Sequence, residues 1–395
     1  MSNRFPTILY VTSSWPHGQT YGGQLRALHV GRAMHKVGEV TLVVVSSDIP
    51  NSEATRLTTV EFRNLSNVCV KMVRNPGLTQ RLRWALDPRY LNVHGCVVEE
   101  PDRARLLCQL DEFDLIWVQN SRTPNILNQW SWPHSVLDID DVPSTYQRTV
   151  WRNGTGLREK FKAGAKTLLL KRRELRLKDR FTALAVCSEG DRQYLGGGRH
   201  IHVIPNGFER PAQCPVPSLA NPTRIGFIGL YSYPPNLEGV RWFFQNCWRQ
   251  VKREAHFRLV GKDTDGPLKP DAPDVDALGW VAHPAAEIAT WSAMIIPVRH
   301  GAGTRVKVAD AFSRKCPVVA TRLGAYGYDV EHGRELLLAD DPAGFAAACI
   351  SLIREPANAA AMAERAYAAF LKNWTWDAIA PRVWATAKEA MSGKR

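Results

Sequence analysis

Residues 300–321, HGAGTRVKVADAFSRKCPVVAT, combine a glycine turn with two cations close behind it, one acid and an apolar run within twenty-two positions. Gly301 and Gly303 can take positive φ and bring backbone amides close to an anion. The spacing predicts a helix beginning near Thr304, whose orphan N–H groups and dipole end favour negative charge. Dipole logic alone expects acids in such a first turn, yet Arg305 and Lys307 stand there. Cations at that end invite a polyanion. Asp310 follows Lys307 by three positions, on nearly the same helix face. Its carboxylate reads either as a surface ion pair with Lys307, worth roughly 0.2–0.5 kcal/mol, or as two acceptor oxygens for a vicinal diol such as a ribose. Diphosphate plus ribose is a nucleotide. A GxG alone is a weak signal, but the whole constellation points to a nucleotide-diphosphate site.

The elements that must position these residues alternate along the chain. TILYVTSS is an apolar run that stops at the polar, Gly-rich loop WPHGQTYGGQ, before an amphipathic stretch from about Leu25 to Lys36 and the apolar EVTLVVVSS. Strand, loop, helix, strand is the unit of a parallel sheet. DLIWVQ, HSVLDID, FTALAVCS and IHVIPNG continue the pattern up to about residue 207. The next fifteen residues, ERPAQCPVPSLANPT, hold four prolines and little periodicity, the mark of a linker. Beyond it RIGFIGL, HFRLVG, DALGWV, AMIIPV, CPVVAT and ELLLAD restart the rhythm. The alanine-rich tail reads as helical, broken near Asn373 and at Pro381, with Trp374, Trp376 and Trp384 anchoring it by packing. The expectation is an α/β chain of two doubly wound Rossmann-like domains: 1–205, a linker 206–222, 223–372, and a C-terminal helix 373–395 returning toward the first domain. Open parallel sheets bind ligands beyond the carboxyl ends of their strands, so the cleft between the domains is the expected site.

Composition narrows the function classes. The chain has 395 residues, is 45% hydrophobic and carries a net charge of +13, enough for two cores. Its first residues lack the order of a signal peptide, and no apolar run reaches the roughly 18 residues of a membrane span. A cytoplasmic protein is expected, with a peripheral position on the inner face of the membrane as a further expectation. Eight cysteines form no CxxC pair, and His17, His29, His35 and His300 form no HxH or HxxxH pair. No metal site and no cofactor are expected. Between Arg148 and Arg180 lie twelve Lys/Arg against three acids. This stretch, 148–180, reads either as a solvated helix face or as a helix on anionic lipid headgroups. With few interleaved aromatics and no binding motif, it is not expected to bind nucleic acid. A nicotinamide dehydrogenase is disfavoured because no GxGxxG follows the first strand.

Several ordered motifs together resemble one family. The stretch IIPVRHGAGTRVKVADAFSRKCPVVATRLGAYGYDVEHGRELLLADDPAGFA is similar to the donor-binding region of retaining glycosyltransferases of the GT-B fold, family 4. TILYVTSSWPHGQTYGGQLRALHVGRAMHKVGEVTLVVV, VIPNGFE and LGWVAHPAAEIATWSAMIIPV resemble the family's acceptor-domain start, its interdomain turn and the loop facing the donor base. The likeness is collinear over most of the chain and weakest over 50–110 and 145–180. It implies that Arg305 and Lys307 clamp the donor diphosphate and that Asp310 binds the ribose hydroxyls, where the family usually has Glu. It implies that Gly22 and Gly23 let the first loop approach the phosphates, and that the 301–304 turn (Gly301, Gly303, Thr304) faces the donor. Asp140 and Asp141 fall where many members carry a His-Asp pair near the sugar and acceptor; their bland reading is strand-end capping.

Two departures matter. A second family Glu, which touches the transferred sugar, is replaced by Ala302, and the loop after the second domain's first strand, YSYPPNLEG, lacks the family's phosphate-binding Arg and Lys. Arg305 and Lys307 are expected to substitute. The resemblance implies a retaining, metal-independent hexosyl transfer from a nucleotide-diphosphate sugar to a glycan or lipid-linked acceptor in bacterial polysaccharide or cell-envelope synthesis. The acceptor would attack on the face the diphosphate leaves. The rivals are a GT-B-fold sugar-nucleotide epimerase or phosphorylase, and a non-catalytic basic membrane- or nucleic-acid-binding protein.

Overall fold

The computed structural model describes residues 4–16, 22–47, 52–62, 64–72, 77–91, 96–154 and 156–393. The chain forms two compact units. One comprises Met1–Ser144, Gly164–Pro205 and Ile379–Arg395, the other Thr145–Ala163 and Asn206–Ala378.

The first unit is built on β1 (Thr7–Thr12), β2 (Glu39–Ser46), β3 (Asn64–Met72), β4 (Cys96–Val98), β5 (Leu115–Gln119), β6 (Ser135–Asp138), β7 (Ala183–Val186) and β8 (Ile201–Val203). They form one sheet in the order β4-β3-β2-β1-β5-β6-β7-β8. All neighbours are parallel except β3 and β4. Parallel strands are covered on both faces, which is why LIWVQ and ALAV are buried throughout and read as unbroken apolar runs. The strand order reverses between β1 and β5, the crevice where open α/β sheets take ligands.

The second unit is built on β9 (Arg224–Ile228), β10 (His256–Val260), β11 (Val275–Gly279), β12 (Ala293–Ile296), β13 (Val318–Ala320) and β14 (Leu337–Leu338), in the order β11-β10-β9-β12-β13-β14. All pairs are parallel, and the order reverses between β9 and β12. Phe243, Phe257 and Phe345 form an aromatic core on one side of the sheet; Val308, Phe312 and Trp374 belong to the cluster on the other.

Every strand expected from the sequence is present, and the structure adds β3 and β4, in a region that suggested none. The unit borders differ from the expected domains at one internal segment. Thr145–Ala163 groups with the second unit, because Thr149 and Asn153 on the helix Pro143–Asn153 bond to the backbone of Gly301 and Arg299. Ile379–Arg395 groups with the first, where Trp384 Nε1 donates to Ala33 O at 2.8 Å and Arg382 Nη1 to Val203 O at 3.4 Å. Pro381 does not break the tail: it lies inside the helix Trp376–Met391. The burial of Ile379, Val383 and Ala387 on one face outweighs the lost backbone bond.

The basic stretch divides into the helices Pro143–Asn153 and Leu157–Glu174 and a short turn. Its cations are not alike. Arg180 is buried and donates to Trp130 O, Gln129 O and Asn125 Oδ1, so burial pushes its guanidinium down to about 10. Among the described residues, no helix is long and apolar enough to cross a membrane, and no group of three His, Cys, Asp or Glu could hold a metal ion.

Candidate active site

At the reversal point of the second sheet the chain leaves β12, passes Pro297 and Val298, and turns through residues 299–305 into the helix Val306–Ser313. That helix starts two residues later than expected, with Arg305 as its N-cap residue in an extended conformation. Gly301 has φ 146° and Gly303 φ 64°, conformations open to glycine at little cost. The Arg305 guanidinium lies against the bare Gly301 backbone, where a Cβ would have to push it aside.

The turn is held from two sides. From the helix Pro143–Asn153, Thr149 Oγ1 accepts from Gly301 N at 2.9 Å and Asn153 Nδ2 donates to Arg299 O at 2.7 Å. From the helix Pro234–Asn246, Glu238 lies 3.2 Å from Arg299 Nη1 and 3.3 Å from His300 Nδ1. The Gly301 amide, expected to face an anion, is therefore already engaged. Sequence reasoning missed Thr149, Asn153 and Glu238, which touch the turn only through long-range folding.

The cations divide the work. Arg305 folds back, its Nη1 donating to Ala302 O, while its Nε and Nη2 are buried without a hydrogen-bond partner among the described residues; so are Thr304 Oγ1 and His300 Nε2. Lys307 reaches toward β9: its Nζ lies 4.9 Å from the Phe227 ring centre and 2.7 Å from where a Cβ on Gly229 would stand. The loop after β9 carries no Lys or Arg until Arg241, so Lys307 supplies from another strand the charge that loop lacks. Burial, with the Arg305 charge beside it, pushes the Lys307 ammonium down to about 8, Asp310 pulling the other way. Such a lysine gains its proton back when an anion arrives.

Asp310 is buried, and its Oδ1 accepts from Arg314 Nε at 2.5 Å. Of the two readings the sequence offers for this carboxylate, the ion pair with Lys307 does not form: Arg314 at i+4 holds Asp310, and Lys307 points toward Gly229. Burial pushes the Asp310 carboxyl up, with Arg314 opposing.

In the first unit, Gly22 and Gly23 open the helix Gly22–Met34 beside the reversal between β1 and β5. Gln119, at the end of β5, fixes this corner. Its Nε2 donates to Gly23 O at 3.2 Å, and its Oε1 accepts from Thr12 Oγ1 at 2.7 Å and Tyr10 OH at 3.0 Å. His17 and the loop through residue 21 lie outside the described residues. Asp140 and Asp141 follow β6, and Asp140 sits at φ 59°, a conformation uncommon outside glycine. Cys187 Sγ donates to Asp140 Oδ1 at 3.2 Å; burial pushes that thiol well up, keeping its proton in place. Two residues earlier, Asp138 is fully buried against Arg26, a pair no sequence motif announced. Arg26 Nη2 meets Asp138 Oδ1 at 2.7 Å and Nε meets both oxygens at 3.0 Å, while Nη1 donates to Ile204 O at 3.0 Å. Burial works against the Arg26 charge and the carboxylate more than offsets it, so the guanidinium is held above its ordinary range.

Two doubly wound units, each with polar residues gathered beyond its strand reversal, define the GT-B class of fold. Residues 222–355, which include the turn and both cations, match the family model of glycosyl transferases group 1. Among solved structures, the chain is similar to Anabaena HepE in complex with UDP-glucose, at TM-score 0.63 and 16% identity, over 97% of this chain and 99% of that one. It is also similar to sucrose-phosphate synthase from Thermosynechococcus elongatus, at TM-score 0.68 and 13% identity, over 98% and 100%. An uncharacterized 44.6 kDa protein of the cps region of Klebsiella pneumoniae is 29% identical over 157 residues, a stretch spanning 36% of this chain and 40% of that protein.

Proposed function

We propose that this protein is a retaining glycosyltransferase that moves a sugar from a nucleotide-diphosphate sugar to a hydroxyl of a glycan or lipid-linked acceptor, in bacterial polysaccharide or cell-envelope glycan synthesis. The observation that carries the reading is the Arg305 guanidinium, buried with two nitrogens unpartnered, beside a Lys307 that no described carboxylate pairs within ion-pair distance. Burying cations without counter-charge costs stability, and an anionic ligand is what repays it. A diphosphate carries the charge, and the family match covers this turn.

The chemistry follows from where charge develops. As the glycosidic bond to the donor breaks, negative charge grows on the distal phosphate, and cations already in place lower that barrier without reorganising. Arg305 and Lys307 take this role, with Thr304 Oγ1 and His300 Nε2 as further donors. Asp310 binds the ribose hydroxyls. Gly22 and Gly23 let the first loop approach the phosphates, and Asp140 and Asp141 orient sugar or acceptor; the left-handed backbone of Asp140 is the kind of local strain that gathers at functional sites. The turn supplies no carboxylate nucleophile, since position 302 is Ala, and the neighbouring Glu238 is bonded through Oε1 to Arg299. Attack from the face the diphosphate leaves, with a phosphate oxygen taking the acceptor's proton, uses what the site offers and retains configuration. The cations serve in place of a metal ion, so transfer should survive chelator.

Thermal shift with a panel of nucleoside diphosphates and their sugars tests this. At least one should stabilise the protein, and Arg305→Ala should remove the shift. A wild-type protein indifferent to the whole panel ends the proposal. Product analysis then separates transfer from its rivals, since donor isomerised without acceptor marks an epimerase and a need for free phosphate marks a phosphorylase.

A further inference from the structure

Lys307 lacks the neighbours an ammonium needs. Its side chain is half-buried, and an ammonium offers three donors and no acceptor. Among the described residues no oxygen accepts from its Nζ and no carboxylate lies within ion-pair distance. What surrounds the amine is an aromatic face and other donors. The Phe227 ring centre lies 4.9 Å from Nζ. Nζ stands 2.7 Å from the place of a Cβ on Gly229, and Asn236 Nδ2 stands 3.2 Å from that same point. Asn236 gives one hydrogen to Leu230 O at 2.7 Å and has a second to offer. Two positions before Lys307, Arg305 Nε and Nη2 are buried without a partner among the described residues. Asp310, the nearest acid along the helix, is taken by Arg314 Nε at 2.5 Å.

Such an amine is pressed toward its neutral form. Burial and the Arg305 charge both disfavour the ammonium and bring it down to about 8, with Asp310 opposing. A lysine that is desolvated or set beside another cation is an activated nucleophile. This one faces groups that favour an anion, and the bare backbone of Gly229 leaves the space beside Nζ open.

We propose that Lys307 is a site of reversible carbamylation by dissolved carbon dioxide. The unprotonated Nζ attacks the carbon, an N–C bond forms as one C=O π pair moves onto oxygen, and the proton lost from nitrogen goes to water. The product exchanges a positive charge for a negative one, and its two oxygens accept where the ammonium could only donate. The Arg305 charge already acts on this amine, and its Nε and Nη2 form the parallel pair of donors that a carboxylate-like group takes. Asn236 adds a further donor on the Gly229 side. The adduct would supply from within the chain the counter-charge that Arg305 lacks, and so would compete with an anionic ligand for the same cations. That competition, unlike the adduct itself, rests on the diphosphate reading of the site.

Carbon-13 NMR of the full chain in labelled bicarbonate near pH 8, where the amine is part neutral, provides the test. A carbamate resonance should appear, and triethyloxonium should trap it as an ester that peptide mass spectrometry finds on Lys307. Lys307→Arg keeps the cation, cannot carry the adduct and should lose the resonance. Inorganic pyrophosphate should displace the adduct, and by reciprocity bicarbonate should weaken pyrophosphate binding about fivefold in the wild type but not in Lys307→Arg. Chloride at equal ionic strength controls for screening. No resonance, or a trapped ester on another amine alone, overturns the proposal. So does bicarbonate that weakens pyrophosphate binding equally in Lys307→Arg without a trapped ester, which would mark it as a competing anion and nothing more. Should Lys307→Arg fail to fold, the trapped wild-type peptide decides. An adduct that forms while pyrophosphate neither binds nor displaces it upholds the modification and breaks only the diphosphate reading.

Discussion

Each unit buries a guanidinium at the reversal point of its sheet or one strand away, and the two are treated in opposite ways. Arg26 in the first unit has its whole fork used: Asp138 takes two edges, and backbone carbonyls at 204 and 205 take the rest. Arg305 in the second unit meets one carbonyl and leaves Nε and Nη2 without a partner. Arg26 is fully buried, whereas Arg305 is half-buried with Nε and Nη2 shut off from solvent; what separates their roles is who supplies the counter-charge. For Arg26 the chain supplies it, and the residue serves the fold, tying the first helix to β6 and to the exit of β8. For Arg305 the chain withholds it, and Lys307 beside it sharpens the imbalance. A buried cation the chain leaves unpaired is a better pointer to ligand than a buried cation as such.

The sharpest way to break this contrast is to unpair the first cation. Asp138→Ala strands Arg26 in the core, which should cost about 3–5 kcal/mol of stability. Chemical denaturation would read it as a lower midpoint; a change under about 1 kcal/mol would mean the pair is not the fixture described. The second cation should respond in the opposite currency. Arg305→Ala should lower transfer by about 10²–10³-fold, the usual scale for removing one preorganised donor from a developing anion, while the denaturation midpoint stays level or rises. A variant that loses stability without losing nucleotide affinity would place Arg305 alongside Arg26 as a structural residue.

The contrast also shows what the sequence can reveal. Arg305 and Lys307 stood out because a GxG turn, a helix start and two cations are local, and physics can be read from local spacing. Arg26 and Asp138 are 112 positions apart, and nothing near either announces the other. Thr149 failed for the same reason: its partner is 152 positions away. At short range the ion-pair partner of Asp310 stays open in the sequence, because Lys307 at i−3 and Arg314 at i+4 are both acceptable neighbours; the structure pairs it with Arg314 while Lys307 reaches toward Gly229. β3 was overlooked because NLSNVCVKM mixes Asn, Ser and Lys with its apolar residues, and among its described side chains only Val68 and Val70 are buried. The strands that were legible are central parallel ones, where burial on both faces forces an apolar run.

A smaller effect probes the unpaired cluster through protons. Burial lowers the Lys307 ammonium to about 8 from an ordinary value of 10.5. The folded protein then binds fewer protons than the unfolded chain between those pH values, so without ligand its stability should rise with pH across that window. Lys307→Met removes the desolvated charge and should stabilise the ligand-free protein below pH 8 by about 2 kcal/mol, since part of the shift is relieved by residual solvent contact. Nucleoside-diphosphate affinity has the reverse slope: it should weaken as pH rises through about 8, with proton uptake on binding above that value. Calorimetry in buffers of different ionisation enthalpy measures the uptake. Affinity flat from pH 7 to about 9.5 would take Lys307 out of the anion site.

The smallest effect tests whether the frame around the unpaired cluster matters as well as its charge. Thr149 Oγ1 accepts from the Gly301 amide and also lies 3.4 Å from Gly301 O. Thr149→Val keeps the shape and removes both contacts, leaving a partly buried amide unsatisfied, at a cost of about 1 kcal/mol. If the bond only stabilises the fold, the loss should appear in the denaturation midpoint with kcat and KM unchanged. If it sets the angle at which Arg305 crosses Gly301, kcat should drop about three- to tenfold with KM nearly constant, since positioning errors weigh on the transition state more than on the ground state. The second outcome is expected, because the Arg305 guanidinium lies against the Gly301 backbone and bonds to Ala302 O in the same turn. A shift of that turn therefore displaces the guanidinium itself. Thr149→Ser, which restores the hydroxyl, should recover most of the rate, and failure of that rescue would assign the Val effect to packing.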